Sequence, residues 1–500
     1  MSEPAPSRRA TPARPNVVLI VSDDHGYADR GALGRHTDVR TPALDRLAAE
    51  GVSCTEAYVT APSCSPSRAG LIAGQHQARW GARWFDDSCF PDHLPSLAER
   101  FADLGYATGY FGKVHYGPED VSDRATPPHH GFEETFYGLA GQQTGRLNYL
   151  RHSAALAEEL GPFAARVNAV QPMLEGDTPV DCDRFLTDEL GERTRDFVTR
   201  HTAHASDPGD ASDERDERPF FLMLAFNAVH NFCWQLPPEE LERRGLPTQS
   251  GYEGDGSDYR GWYDGQVAPK LEHGRDYYLA QLELMDAQIG ALLDTLDATG
   301  AADDTVVVYL TDNGGSNCNH ADNTPLAGTK YTLQEGGIRV PFLWRWPGGG
   351  VTGGVERSGV VSSLDLYPTL LAAAGAERTA YDHCDGTDLL AFLRDGDPGL
   401  AERELHWDNG FQWAVRQGRW KLSFTDPESG EVEALREIER AEPILGLGLF
   451  DLVTDPGETR NLAEERPDVV DRLTTAHETW RASVLGTPQQ PTGRVPDSTR

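Results

Sequence analysis

Residues 17–26 read Val-Val-Leu-Ile-Val-Ser-Asp-Asp-His-Gly, and this stretch decides the fold. Its apolar run is mostly β-branched, which is typical of a strand buried on both faces of a parallel sheet. Residues 305–315, Thr-Val-Val-Val-Tyr-Leu-Thr-Asp-Asn-Gly-Gly, repeat the pattern. Both runs end in oxygen-bearing side chains followed by glycine, and open α/β sheets bind their ligands at the carboxyl ends of the strands. The two stretches therefore predict a parallel α/β sheet with a functional site at one edge.

Helix and strand patterns alternate between these two stretches. Apolar spacing predicts helices over residues 41–51, 94–105, 182–201 and 277–299, and short apolar runs predict strands over 106–111 and 219–226. Such alternation implies right-handed crossovers and a doubly wound sheet. We therefore expect an α/β fold with a large, mixed or parallel sheet flanked by helices.

The sequence pattern changes after Gly386. Aromatic-rich strand patterns around residues 413–424 and 447–452 precede a helix pattern near 467–484, which predicts a small antiparallel sheet with a covering helix. We predict a disordered N-terminal segment, a main domain, a smaller C-terminal subdomain and a tail, at residues 1–14, 15–395, 400–485 and 486–500.

Charge and cysteine content restrict the possible partners and locations. The 500 residues include 45 Lys and Arg against 79 Asp and Glu, a formal net charge of −34, which argues against nucleic acid as a partner. No segment is long and apolar enough to span a bilayer, so we expect no membrane partner. Arg8-Arg9 is not followed by the apolar segment of an export signal, and the seven cysteines have irregular spacing without a CxxC pattern. We predict a reduced, cytoplasmic protein.

Four oxygen-bearing side chains stand at the two strand ends: Asp23, Asp24, Asp312 and Asn313. Hard oxygen donors suit Ca²⁺ or Mg²⁺ and disfavour transition metals, and the irregular set favours Ca²⁺ because calcium accepts flexible, higher coordination. Either pair alone is more simply explained as a helix cap or a turn. Because two such ends share one sheet edge, we predict a metal site.

Cys64 lies in the run Pro62-Ser63-Cys64-Ser65-Pro66-Ser67-Arg68, directly before an apolar stretch. Pro66 is suited to the first turn of a helix, where a missing N–H costs little. Helix N-termini attract negative charge, and Arg68 adds a planar fork of donors one turn further along. The pattern predicts a nucleophile-bearing residue at an anion-binding helix end; the alternative is a cap with a buried thiol.

Further cations follow other strand and loop segments. Lys113 and His115 come after the predicted strand 106–111, His230 follows the strand 219–226, and Lys330 precedes the Gly336–Pro341 segment. One such residue alone is more often a surface or structural group. Their recurrence at one predicted edge indicates a positive pocket.

Taken together, these motifs resemble the type I sulfatase family, which belongs to the alkaline-phosphatase-like superfamily. The pattern Cys-x-Pro-x-Arg resembles the signature of that family. Further similar landmarks occur in the usual order, at residues 16–34, 41–81, 112–115, 312–314, 336–341, 361–371 and 449–462. The resemblance implies a sulfuric ester hydrolase that acts on a sulfated small molecule or carbohydrate. It also implies that a separate formylglycine-generating enzyme oxidises Cys64 to formylglycine.

The resemblance implies roles for the site residues. Ca²⁺ would be bound by Asp23, Asp24, Asp312, Asn313 and the modified Cys64, with Mg²⁺ the less favoured ion. Arg68, Lys113, His115, His230 and Lys330 would surround the aldehyde hydrate and the sulfate. One hydroxyl of the hydrate would attack sulfur with Asp312 as proton acceptor, and His230 or Lys330 would protonate the leaving alcohol. The bound sulfate would leave when the second hydroxyl loses its proton to His115.

The substrate and two other functions stay open. The segment from Gly112 to Glu119 resembles glycan N-sulfatases, whereas the segment from Lys330 to Pro341 resembles O-sulfatases. A phosphodiester or phosphonate monoester hydrolase of the same superfamily is the first alternative, because phosphorus and sulfur esters are both tetrahedral oxyanions that bind to the same arrangement of positive charges. A binding protein for sulfated glycans that has lost catalysis is a remote second.

Overall fold

The computed structural model describes residues 14–84, 89–117, 119–202, 218–396 and 398–485. The ten strands of the larger sheet are β1 (Asn16–Ser22), β2 (Val52–Tyr58), β3 (Ala107–Val114), β4 (Glu134–Leu139), β5 (Met173–Glu175), β6 (Thr178–Val180), β7 (Phe220–Ala225), β8 (Thr305–Thr311), β9 (Phe342–Arg345) and β10 (Val355–Ser362). A second sheet contains β11 (Glu404–Asp408), β12 (Gln412–Gln417), β13 (Trp420–Thr425) and β14 (Gly446–Asp451).

Twelve α-helices accompany the described strands. They are α1 (Pro42–Glu50), α2 (Cys64–Ala73), α3 (Leu97–Asp103), α4 (Ala154–Val167), α5 (Leu186–Thr202), α6 (Pro238–Arg244), α7 (Gly274–Ala298), α8 (Glu335–Ile338), α9 (Leu366–Ala373), α10 (Leu390–Asp395), α11 (Gly430–Glu439) and α12 (Pro467–Val484). Within the described part of the chain, no helix has both the length and the apolar character needed to cross a membrane.

The large sheet has the strand order β10-β2-β9-β8-β1-β7-β3-β4-β5-β6. The strands from β8 to β4 are parallel, and β9 runs antiparallel to both of its neighbours. Both faces are covered, because Val18 and Ile20 of β1 pack into one hydrophobic core while Val17 and Leu19 pack into the other. The predicted α/β fold with a mixed, doubly wound sheet is confirmed.

The C-terminal sheet is fully antiparallel. Val415, Leu422 and Leu449 on one face pack against α12, and Trp407 and Ala414 pack against residues of the large sheet. Two elements here were absent from the predictions, β11 and α11, and the predicted strand pattern at 413–424 is a hairpin of two strands. The domain boundary at residues 395–400 stays a prediction.

The sequence predicts a disordered N-terminal segment at residues 1–14 and a tail at 486–500. Residues 1–13 and 486–500 lie outside the described residues. Arg14, the last residue of the predicted N-terminal segment, donates a hydrogen bond to the backbone oxygen of Leu104 and lies 5.2 Å from the centre of the Tyr106 ring.

Lys113 lies inside a strand and not after it. The ladder between β3 and β4 continues through the pairs Lys113–Gly138 and Val114–Leu139, so pairing with β4 extends the strand beyond the predicted end at Phe111. The close approach of β3 to β7 requires glycine at position 112, because a Cβ atom there would lie 1.8 Å from the backbone oxygen of Ala225. Close strand contact therefore directs a buried lysine into the site.

Candidate active site

The register of the central strands brings the acidic residues together. Ser22 of β1 pairs with Thr311 of β8, so the next residues along the two strands, Asp23 and Asp312, leave the same edge side by side. On the other side, the backbone N of Asp23 donates to Ala228 O at 2.9 Å, which carries the segment after β7 along the same edge. Parallel pairing thus places three loops around one point.

Three carboxylates form the centre of the site. Carboxylate oxygens of Asp23, Asp24 and Asp312 lie within 4.8 Å of one another, and all three residues are buried. Oδ1 of Asp23 and Oδ1 of Asn313 are buried oxygens without a hydrogen-bond partner in the described structure. Burial, followed by the negative charge of Asp312, raises the pKa of Asp23 to about 7. Buried oxygen acceptors that lack donors are what a hard cation would satisfy.

Two cations balance what we call the strand side of the site, which consists of Asp23, Asp312, Arg68 and Lys113. Arg68 Nε donates to Asp312 Oδ2 at 2.6 Å, and its Nη2 lies 3.5 Å from Asp23 Oδ2. Lys113 Nζ also donates to Asp23 Oδ2. Each of these side chains is at most 1% exposed, so the charges interact with little solvent screening.

What we call the loop side consists of Asp24, Asn313, His230 and Lys330. Lys330 Nζ lies 2.8 Å from Asp24 Oδ1 and donates to Oδ2 at 2.9 Å, and Asn313 Nδ2 donates to Oδ1 at 2.7 Å. The Nε2 atom of His230 lies 3.0 Å from Lys330 Nζ and 3.6 Å from Asp24 Oδ2. Since Nδ2 of Asn313 is hydrogen-bonded to Asp24, the other amide atom of Asn313, Oδ1, is available as a ligand or acceptor.

Cys64 begins helix α2 beside the carboxylates. Pro66 falls in the first turn, as predicted, although as the third helical residue. The sulfur of Cys64, a carboxylate oxygen of Asp23 and a ring nitrogen of His230 lie within 4.8 Å of one another. Burial raises the pKa of the Cys64 thiol, so the unmodified side chain is a protonated thiol and a poor nucleophile.

His115 lies over the same region. A Cβ atom built on Gly145 would lie 2.9 Å from His115 Cε1 and 3.8 Å from Cys64 Sγ, which puts both side chains beneath one backbone segment. Burial, followed by the charge of Lys113, lowers the pKa of His115 well below its ordinary value. Burial, followed by the charge of Lys330, does the same to the pKa of His230. Both imidazoles are therefore neutral, and the Nδ1 atom of each has no hydrogen-bond partner in the described structure.

All ten residues selected from the sequence thus lie in one cluster at the carboxyl edge of the sheet: Asp23, Asp24, Cys64, Arg68, Lys113, His115, His230, Asp312, Asn313 and Lys330. The three residues that follow Asn231 are buried. Phe232, Cys233 and Trp234 are at most 4% exposed and pack into the core.

Sequence reasoning missed residues that act through loops. Asn319 Nδ2 donates to Asp24 Oδ2 at 2.8 Å. Asn227 holds the loop that contains Gly145, because its side chain accepts from Leu147 N at 3.2 Å and donates to Leu147 O at 3.1 Å. Glu439 of α11 is fully buried against the loop before Lys330. The sequence around Asn319 and Glu439 contains no recognisable motif. Only the position of Asn227, directly after the strand pattern 219–226, was a usable signal.

Comparison with known proteins identifies the family. The Sulfatase family model matches residues 15–376. The chain belongs to the sulfatase family. This sulfatase is 31% identical to arylsulfatase A of Bos taurus over 488 residues, which cover 92% of this chain and 85% of that protein. It is 29% identical to steryl-sulfatase of Mus musculus over 578 residues, with 98% and 85% coverage.

A solved structure is similar over nearly the whole length. The crystal structure of Ps i-CgsB in complex with k-i-k-neocarrahexaose gives a TM-score of 0.74 at 27% identity, covering 95% of this chain and 94% of that chain. The family resemblance and the enzyme class predicted from the motifs are confirmed: the protein is a sulfatase.

Proposed function

We propose that this sulfatase releases inorganic sulfate through a formylglycine made from Cys64 and a Ca²⁺ ion held by Asp23, Asp24, Asp312 and Asn313. One observation carries the proposal: the Cys64 sulfur lies at a helix N-terminus within 4.8 Å of a carboxylate oxygen of Asp23 and a ring nitrogen of His230. The N-terminal end of a helix favours an anion, and the carboxylates favour a cation. A sulfate ester, which is an anion, would fit between the helix N-terminus and a cation held by the carboxylates.

The described residues fit a hard metal ion. Asp23 Oδ1 and Asn313 Oδ1 are buried and have no hydrogen-bond partner among the residues that the structure describes. Every side-chain ligand of the proposed set apart from residue 64 is a carboxylate or amide oxygen. Ca²⁺ is preferred to Mg²⁺ because the donors come from two strand ends in an irregular set. When bound, the ion would polarise the sulfate and stabilise the charge that grows on its oxygens.

Residue 64 needs modification to act. Because burial raises the pKa of its thiol, Cys64 as encoded is a weak nucleophile. Formylglycine would supply a hydrated aldehyde with one hydroxyl for attack on sulfur and a second whose deprotonation releases the sulfate. We propose that a formylglycine-generating enzyme acts on the chain during maturation.

Proton transfers can be assigned to this chain's own groups. Asp312 Oδ2 is held by Arg68 at 2.6 Å, whereas Oδ1 accepts only a long 3.4 Å bond from the backbone N of Asp24 among the described residues. Oδ1 is therefore the oxygen that takes a proton from the nucleophile. His115, neutral and with Nδ1 unpartnered in the described structure, is the base for the release step.

The proton for the leaving alcohol comes from Lys330. Although burial alone would lower the pKa of Lys330, the charge of Asp24 raises it well above the ordinary value, so the side chain stays an ammonium. His230 is neutral and lies 3.0 Å from that ammonium, so it orients the donor. With Arg68 and Lys113, Lys330 also supplies fixed positive charge for the transition state.

The substrate class is a sulfated small molecule or carbohydrate. Support comes from the similarity to arylsulfatase A and steryl-sulfatase and to a structure that binds k-i-k-neocarrahexaose. The cytoplasmic location predicted from the cysteines remains part of the proposal; in the structure the thiols of Cys54, Cys64, Cys182, Cys233, Cys318 and Cys384 are free.

Two measurements test the proposal. Peptide mass spectrometry of the active enzyme should show loss of the thiol at residue 64 and an aldehyde that reacts with hydrazides; full activity with an unmodified thiol would overturn the mechanism. Rates on nitrophenyl sulfate and on a nitrophenyl phosphate diester should favour the sulfate. A preference for the diester would support the phosphorus-ester alternative, and binding of sulfated glycans without turnover would support the non-catalytic one.

A further inference from the structure

Glu439 is a buried carboxylate that the proposed reaction does not use. It ends helix α11, in the C-terminal part of the chain, and has 0% exposure. A buried carboxylate needs donors to offset the loss of water. The source of those donors indicates its role.

Three of the donors come from one loop of the catalytic sheet. Glu439 Oε1 accepts from Ser316 Oγ at 2.8 Å, and Oε2 accepts from the backbone N of Asn317 at 2.7 Å and from Thr329 Oγ1 at 2.9 Å. Asn317 Nδ2 also donates to the backbone oxygen of Glu439 at 3.0 Å. One carboxylate therefore ties the beginning of the loop, at residues 316–317, to its end at residue 329.

This closure of the loop determines the backbone position of Lys330. The backbone N of Lys330 donates to Gly315 O at 3.1 Å, and Thr329 Oγ1 lies 2.8 Å from the same oxygen, so the two ends of the loop meet beside the Glu439 carboxylate. The same loop carries Asn319, which donates to Asp24. An open loop of this length would sample many conformations, which the hydrogen bonds to Glu439 suppress.

We propose that Glu439 is a positioning residue that fixes the Lys330 ammonium beside Asp24 and His230, so that the C-terminal sheet and its helices complete the catalytic site. The inference rests on the proposed role of Lys330 as the proton donor. Among the described residues, Glu439 has no hydrogen bond to a proposed metal ligand; it acts through the loop and through the interaction of its charge with that of Lys330.

The first test compares Glu439→Ala with Glu439→Gln. Alanine removes the carboxylate that accepts from Ser316, Asn317 and Thr329. We expect kcat on aryl sulfates to fall roughly 100-fold with KM changed less than about 3-fold, because small misplacements of a reacting group cost about this much. Glutamine can keep its oxygen at the Oε2 position and donate its amide to Ser316, so it should retain most of the wild-type kcat.

A leaving-group series separates positioning from general stability. If Glu439 acts through the proton donor, its loss should slow phenyl sulfates with poor leaving groups more than 4-nitrophenyl sulfate. In a Lys330→Ala background, Glu439→Ala should lower kcat by less than about 3-fold, because coupled residues are not additive. Equal losses for every leaving group, or full additivity with Lys330→Ala, would overturn the inference.

Arg403→Ala is the matched control. Arg403 also joins the C-terminal part to the large sheet, with two donors to Asp365 at 2.5 and 2.7 Å. Asp365 follows the edge strand β10, four positions from β1 in the strand order. Arg403→Ala should lower the melting temperature as Glu439→Ala does and keep a normal kcat. If both variants lose stability and neither loses kcat, Glu439 is a structural contact only.

A milder variant covers the case in which Glu439→Ala does not fold. Thr329→Val removes one donor at nearly constant shape and should lower kcat several-fold with the same leaving-group trend; a normal kcat on all leaving groups would overturn the inference. Failure of the proposed function would give different results. A wild-type enzyme without sulfatase activity, or a fully active Lys330→Ala variant, would contradict the proposed mechanism and leave the loop contacts of Glu439 unaffected.

Discussion

The strand side and the loop side of the site hold their charges by different means. On the strand side, Asp23 and Asp312 continue directly from neighbouring strands whose ladder fixes their spacing. On the loop side, Lys330 reaches Asp24 from a loop whose two ends are tied to Glu439 of the C-terminal part. The strand side is therefore as rigid as the sheet itself, whereas the loop side depends on contacts made far away in sequence. A substitution on the strand side should therefore lower both the stability and kcat, whereas one on the loop side should lower kcat with a smaller loss of stability.

Arg68→Ala should have the largest effect, on both properties. The change leaves Asp312 and Asp23 buried with less positive charge, which for a broken buried ion pair costs about 3–5 kcal/mol. It also removes fixed charge from the sulfate position, so kcat should fall roughly 1,000-fold. Thermal unfolding and steady-state kinetics on nitrophenyl sulfate measure the two losses. A large loss of kcat with unchanged stability would show that the strand side is not held by its ion pairs.

Lys330→Ala should lower kcat roughly 100-fold with a smaller loss of stability. Asp24 keeps the amide donors of Asn313 and Asn319, at 2.7 and 2.8 Å, after the ammonium is removed. The same two measurements apply. If Lys330→Ala unfolds the protein as readily as Arg68→Ala does, the distinction between the two sides is wrong.

The strand side is also the part of the site that the sequence predicts best. Apolar runs ending in Asp23 and Asp312 define both the strand and the edge, because parallel strands must share their direction. Lys113 lies in the cluster, but it was predicted to follow the strand and not to belong to it, since pairing of β3 with β4 depends on a partner that local sequence does not identify.

The loop side was predicted in part only. His230 and Lys330 could be selected by residue type and by the family resemblance. Glu439 could not, because it is one glutamate in an amphipathic helix that itself was not predicted, and its importance depends on the tertiary contact with Ser316, Asn317 and Thr329. The same holds for Asn319, which reaches Asp24 only after the loop has closed.

Asn319→Ala should weaken Ca²⁺ binding roughly tenfold, because groups that orient a metal ligand contribute about this much to affinity. Asn319 Nδ2 fixes Oδ2 of Asp24 from the loop side. Calorimetric titration of chelator-treated enzyme with Ca²⁺ measures the effect. Asn323→Ala is the control, since Asn323 lies in the same loop but bonds to backbone groups of Tyr27, Gly315 and Gly328. Equal affinities for the two variants would mean that Asp24 is oriented without Asn319.

Gly145→Ala should have the smallest effect and tests the backbone that covers both sides. Gly145 has a φ of +82°, and a Cβ atom there would lie 2.9 Å from His115 Cε1. The methyl group has to displace the imidazole, so we expect kcat to fall roughly 3- to 10-fold, as a small shift of a proton acceptor would cause. Gly105→Ala is a matched control, because Gly105 has a φ of +75° and no atom of the described residues lies within 4 Å of its Cβ position. Both variants should lose about 1–2 kcal/mol of stability from the left-handed backbone, but only Gly145→Ala should lose activity. If the two variants keep the same kcat, the imidazole of His115 can move without cost, and its role as the base in sulfate release would have to be given to another group.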